Sequence, residues 1–240
     1  ELAARGFAAL AFDFTGWGES EGEPRYLEDP RIKTADIKAA ARFLSELPEV
    51  DSDRVFGLGI CASSGYMASA VADGDGLTKL ALVAPWLHTP EMAEGIYGGP
   101  EAAAKLIDIG RAAVIAQEPR LITAASSTDE GSLMFQVPYY TEADRGLIDA
   151  YDNKFNLASW EPWLTYDARA SADRLEAPTL VVCSEAAALP AGAHEYIKRT
   201  RAPVTEIWLD EVNQFDFYDR SDVVETAADA VAKHFTGDSV

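Results

Sequence analysis

Gly57-Leu58-Gly59-Ile60-Cys61-Ala62-Ser63-Ser64-Gly65-Tyr66 is the stretch that decides the fold. Its first half closes an apolar run, Arg54 to Ile60, short enough for a buried strand. Its second half opens a helix that runs to about Ala72. Cys61 sits at the junction, with Gly59 two residues before it and Ser63 two after. A nucleophile on so sharp a turn needs small neighbours, because its own backbone is strained and adjacent chains pack close. The turn lifts the side chain to the top of a sheet. It also aims the next backbone N–H, that of Ala62, at a developing oxyanion. A helix start lowers a thiol pKa, which favours thiolate at Cys61. A second register, Cys61-x-Ser63-x-Gly65, would centre Ser63 instead; Cys61 is preferred because it follows the strand directly. The plain alternative is a buried, inert cysteine.

Working outward, Phe7 to Phe14 reads as a buried strand, and a Gly-rich loop over 15–20 follows it. Asp29-Pro30 offers a helix start, with Ile37, Ala41 and Leu44 on one face and Pro48 beyond the end. Leu80 to Ala84 is another strand. The rhythm then breaks until Thr179 to Cys183, after which come a helix over 191–199, a strand over 204–209 and a last helix from Ser221 to Phe235. Strands alternating with amphipathic helices predict a parallel sheet with helices on both faces. Sites on such sheets lie at the carboxyl ends of the strands. The expected organisation is a core over 1–85 and 176–240, with a helical lid inserted over 86–175. Glu1 to Gly6 reads as the tail of a helix with a glycine cap.

Forty acidic residues face 20 basic ones in 240, a net charge of -20. Phosphate backbones and anionic membrane surfaces are therefore poor partners. No run of 18 apolar residues exists to span a bilayer. Cys61 and Cys183 are too few for a disulfide framework and read as free thiols of a reducing, cytoplasmic compartment. The expected partner is a small-molecule substrate; a homo-oligomer is allowed. No cofactor and no metal is expected, since His, Cys and Asp show no ligand spacing. Gly16-x-Gly18 lacks the helix that a dinucleotide fingerprint requires.

With the elbow in hand, the chain from Gly6 to Phe235 resembles an α/β-hydrolase of the dienelactone-hydrolase-like group, whose elbow carries a cysteine. Residues 6–20 resemble the fourth strand and loop of that fold, and 57–66 the fifth strand and elbow. Residues 179–185 resemble the strand that carries the acid, and 209–219 the loop that carries the histidine. The resemblance implies further strands before residue 1, and with them the loop bearing the second oxyanion donor. It implies hydrolysis or acyl transfer on an ester, lactone or thioester. Cys61 would attack, the Ala62 amide would hold the oxyanion, and Glu185 would be the acid, with Asp210 as fallback. At the histidine position stands Gln214, which takes no proton at neutral pH.

That departure leaves the base open. Asp216, two residues beyond Gln214, would need its pKa raised by burial. His88 lies at the right end of the sheet; His194 and His234 lie on helices and read as surface residues. Trp86, Trp160 and Trp163 are candidates for an apolar substrate pocket, against a plainer role as lid core. The competing reading is a homologue that has lost turnover and serves as a ligand-binding or interaction module.

Overall fold

The computed structural model describes residues 1–238. In chain order the elements begin with α1 (Pro30–Ser45), β1 (Val55–Ile60), α2 (Ser63–Ala72) and β2 (Leu77–Val83). A mixed stretch follows: α3 (Pro90–Ile96), α4 (Pro100–Val114), β3 (Leu121–Thr123), β4 (Ala125–Ser126), β5 (Met134–Phe135), β6 (Lys154–Asn156) and α5 (Trp160–Leu164). The chain closes with β7 (Thr179–Cys183), α6 (Pro190–Arg199), β8 (Val204–Trp208), α7 (Asp216–Asp219) and α8 (Ser221–Thr236). Two compact units result. One comprises 1–11, 34–88 and 167–240; the other comprises 12–33 and 89–166.

The first unit is built on four parallel strands in the order β1-β2-β7-β8. Period-two alternation sorts their side chains. Phe56, Ala81, Val83, Leu180 and Val182 join one core cluster with Val223, Ala227, Val231 and Phe235 of α8. On β1 the alternate positions are Gly57 and Gly59, which let α2 approach the opposite face; a Cβ on Gly57 would meet Met67 and Val71. Helices thus cover both faces, as parallel sheets require. Phe56 stacks on Phe235 with ring centroids 4.8 Å apart, and Phe7 packs edge-on against both. Lys79 Nζ donates to the last carbonyls of α8, those of His234 and Phe235, at 2.7 and 3.1 Å.

Residues 7–14 form no strand. Leu10 and Phe12 are each 39% exposed, and the run has no ladder partner among the described residues. Apolar composition suits a strand, but pairing makes one, and β1 is paired only to β2. His234 is a second departure: it is buried, with Nε2 3.2 Å from the Pro178 carbonyl. Its place on the sheet-facing side of α8 outweighs its polarity. Gly6 caps a short turn over Ala3–Arg5 at φ +86°, as read from sequence.

In the second unit, α3, α4 and α5 pack around Ala93, Ala103, Phe155, Trp160 and Leu164. α3 is capped by Thr89, whose Oγ1 accepts the Met92 N–H at 3.2 Å. The antiparallel pair β3–β6 and the short pair β4–β5 complete it.

Candidate active site

Cys61 follows β1 directly and holds φ at +55°, a conformation non-glycine residues seldom adopt. The turn is fixed by backbone bonds on both sides. The Cys61 N–H donates to the Val83 carbonyl at 3.3 Å, and the Cys61 carbonyl accepts from Trp86 N–H at 3.0 Å and Ser64 N–H at 3.1 Å. A Cβ on Gly59 would lie 2.6 Å from the Ser64 Cα, so only glycine permits this approach of α2 to β1. The thiol is partly exposed, and the Ala62 N–H beside it stands at the opening of α2.

The neighbouring hydroxyls behave differently. Ser63 Oγ accepts from the Ile60 N–H at 2.9 Å and donates to the Ile60 carbonyl at 2.8 Å. It is committed to the turn backbone, which speaks against the register centred on Ser63. Ser64 Oγ is fully buried and has no hydrogen-bond partner among the described residues.

Gln214 is 6% exposed, in the loop after β8. Its Nε2 donates to the Ala84 carbonyl at 2.9 Å and to Tyr218 Oη at 2.5 Å, and its Oε1 accepts from the Ala188 N–H at 3.0 Å. Both amide hydrogens are therefore used by protein. The side chain ties together the segments that follow β2, β7 and β8, while the Trp86 N–H ties the segment after β2 to the elbow. Three of the expected site segments are thus laced to the fourth at one end of the sheet.

Glu185 follows β7 at the same end of the sheet, but its carboxylate turns to solvent. Its side chain is 71% exposed, and Oε1 sits 2.7 Å from His194 Nε2 of α6. The His194 ring stacks on Trp208 at 4.1 Å, nearly parallel. Trp208 ends β8, the edge strand opposite β1. The structure therefore pairs Glu185 with His194 and not with Gln214. The sequence read His194 as a bystander; its one signal was a helix opening at Pro190 five residues after Glu185.

Asp216 Oδ2 accepts from the Asn213 N–H at 2.8 Å and pairs with Arg220 at 3.4 Å. Asp216 is thus tied to its own loop backbone and to α8 through Arg220. His88 is 1% exposed, with Nδ1 accepting from the Trp86 indole N–H at 3.1 Å. Trp160 is buried against Phe155 and Tyr97, and Trp163 Nε1 donates to Tyr97 Oη at 3.0 Å, so both belong to the core of the second unit. Burial raises the Tyr97 hydroxyl above its usual pKa. Cys183 is buried within β7, and that burial pushes its thiol up to about 11. Among the described residues, no three of His, Cys, Asp and Glu converge as metal ligands, and no helix is long and apolar enough to cross a membrane.

The chain is similar to several known proteins. YcjY of Escherichia coli K12, an uncharacterized protein, is 27% identical over 250 residues, covering 98% of this chain and 80% of that one. The crystal structure of hypothetical protein PA2218 from Pseudomonas aeruginosa matches with a TM-score of 0.81 at 24% identity, over 99% of this chain and 77% of the other. The quorum-quenching protein AidA of Acinetobacter baumannii is 26% identical over 137 residues, 55% of this chain and 44% of AidA. Residues 1–228 match the family model described as the alpha/beta hydrolase family. The parallel β1-β2-β7-β8 sheet, the turn at Cys61 and this match over nearly the whole chain agree: the protein belongs to the alpha/beta hydrolase family.

Proposed function

We propose that the protein cleaves a carboxylic ester, lactone or thioester through Cys61. The observation that carries this reading is the strained Cys61 turn, φ +55°, with the Ala62 N–H beside it at the start of α2. Cysteine at the centre of the elbow supports placing the chain with the dienelactone-hydrolase-like group.

In the first step the Cys61 thiolate attacks the acyl carbon. Negative charge moves to the carbonyl oxygen, where the Ala62 N–H receives it. The carbon–oxygen or carbon–sulfur bond to the leaving group then breaks, and that group takes a proton from water. Water next adds to the acyl-thioester, releasing the carboxylic acid and restoring Cys61. A serine would need a base for the first step; cysteine needs one least, since part of it is already thiolate. Gln214 acts as a clamp in this scheme, because its amide hydrogens are spent on Ala84 and Tyr218. Deacylation then goes without an imidazole, and it is the slow step.

A second reading, a binding protein without turnover, draws on the same saturated Gln214 amide. Thiol alkylation separates the two. With iodoacetamide at neutral pH, Cys61 should label in minutes, while Cys183, held up to about 11, should not. Equally slow labelling of both thiols would count against a nucleophilic Cys61. Loss of all esterase activity in Cys61→Ala, with the melting temperature kept, completes the test.

A further inference from the structure

The segment that leaves β2 is pinned at successive points to the rest of the first unit. The Ala84 carbonyl accepts from Gln214 Nε2 at 2.9 Å, and the Trp86 N–H donates to the Cys61 carbonyl at 3.0 Å. Leu87 is fully buried against α6, where a Cβ on Gly192 would come within 2.3 Å of the Leu87 carbonyl oxygen. The His88 carbonyl accepts from the Ala168 N–H at 2.9 Å. β1 and β2 are adjacent and parallel, so Cys61 and Trp86 lie just beyond the carboxyl ends of neighbouring strands. Open parallel sheets bind their ligands there.

The Trp86 side chain is held as well as its backbone. Its indole N–H donates to His88 Nδ1 at 3.1 Å. An indole nitrogen only donates, so Nδ1 carries no proton, and the imidazole is neutral with its hydrogen on Nε2. With one ring nitrogen accepting and the other protonated, His88 has no lone pair left to act as a base. An apolar ring would fill the same space without the cost of burying polar nitrogens; an imidazole adds an acceptor for the indole. His88 is 1% exposed, whereas Trp86 is half-buried. A buried ring thus anchors the indole of a residue one hydrogen bond from the elbow, and part of that residue stays open to solvent.

We infer that Trp86 is a specificity-determining wall of the Cys61 site, selecting aryl-bearing acyl groups, and that His88 is the positioning residue that fixes its indole. The inference rests on the Cys61 site of the proposed function, and its test separates the two. A phenyl ring packed on a fixed indole gains a factor of about 2–10 in rate.

Alkylation reads that factor without requiring turnover. The rate of Cys61 labelling by α-chloroacetanilide is divided by that for chloroacetamide, each normalised to free cysteine, with peptide mapping to separate Cys61 from Cys183. The parent should favour the phenyl reagent by about 3–10-fold. His88→Leu keeps a similar volume and removes the acceptor, so the ratio should fall to near unity. His88→Asn, whose amide oxygen stands in for Nδ1, should keep most of the preference. Trp86→Phe removes the indole N–H and leaves His88 in place. It should lower the ratio, adding His88→Leu to it should lower it no further, and it carries the test if His88→Leu does not fold. A parent ratio near unity, an unchanged ratio in Trp86→Phe, or His88→Asn behaving as His88→Leu would overturn the inference. Slow labelling by both reagents with the parent ratio kept would instead count against Cys61 as nucleophile and support the wall.

Discussion

Replacing Gln214 by leucine keeps the side-chain volume nearly unchanged and removes every hydrogen bond the amide makes. The Ala84 carbonyl loses its 2.9 Å donor, the Ala188 N–H loses its 3.0 Å acceptor, and Tyr218 Oη loses a donor. Gln214 and Ala84 are buried. A buried polar group left unmatched costs roughly 1–3 kcal/mol, and a group that water can reach costs less. Counting the Ala84 carbonyl in full and the other two in part gives a loss of about 2–4 kcal/mol. At this chain length each kcal/mol moves the melting temperature by about 2–4 °C. A drop of roughly 4–16 °C follows, readable by scanning calorimetry. Gln214→His should fall between leucine and the parent, because one ring N–H can still donate to Ala84. A leucine variant melting within a degree of the parent would refute the clamp.

Three further outcomes follow from the geometry. Ser64→Ala removes a buried hydroxyl without a partner and adds a better helix former, so the melting temperature should rise by about 2–4 °C; no change or a fall would mean that the hydroxyl is satisfied in solution. Gly59→Ala puts a Cβ 2.6 Å from the Ser64 Cα and should cost about 2 kcal/mol in denaturant titration together with the reactivity of Cys61; an unaffected thiol would show that the turn tolerates the shift. His234 has its pKa lowered, chiefly by burial; the hydrogen bond to the Pro178 backbone opposes this, and the nearby Lys79 charge adds to it. The unfolded state therefore binds the proton more readily, and stability is lost as pH falls below about 6.5, with a slope of at most about 1.4 kcal/mol per pH unit. His234→Gln should flatten the denaturation midpoint between pH 7.5 and 5.5, and an unchanged pH dependence would contradict this.

The parallel core was legible in the sequence because its central strands carry short apolar runs, buried throughout in Thr179–Cys183. Thr179–Cys183 is identical in reading and structure, and the other paired strands differ by a few residues at their ends. The elbow was legible because its backbone demands small residues at fixed spacing around Cys61. Residues 7–14 misled because their composition matches a strand while pairing depends on a neighbour distant in sequence. Gln214 was found by position, but its role was not, since its partners are a carbonyl 130 residues away and an amide 26 residues away. The Glu185–His194 pair was hidden for the same reason. It joins side chains from separate segments, and no local pattern records that meeting.

Cys61 as nucleophile is most directly tested by intact-mass analysis of the protein after incubation with a short-chain activated ester such as p-nitrophenyl acetate. The account predicts one acyl adduct per chain, mapping to Cys61 and absent from Cys61→Ala, that decays slowly because Gln214 supplies no base. Ester turnover without an adduct, or an adduct elsewhere that survives in Cys61→Ala, would contradict it.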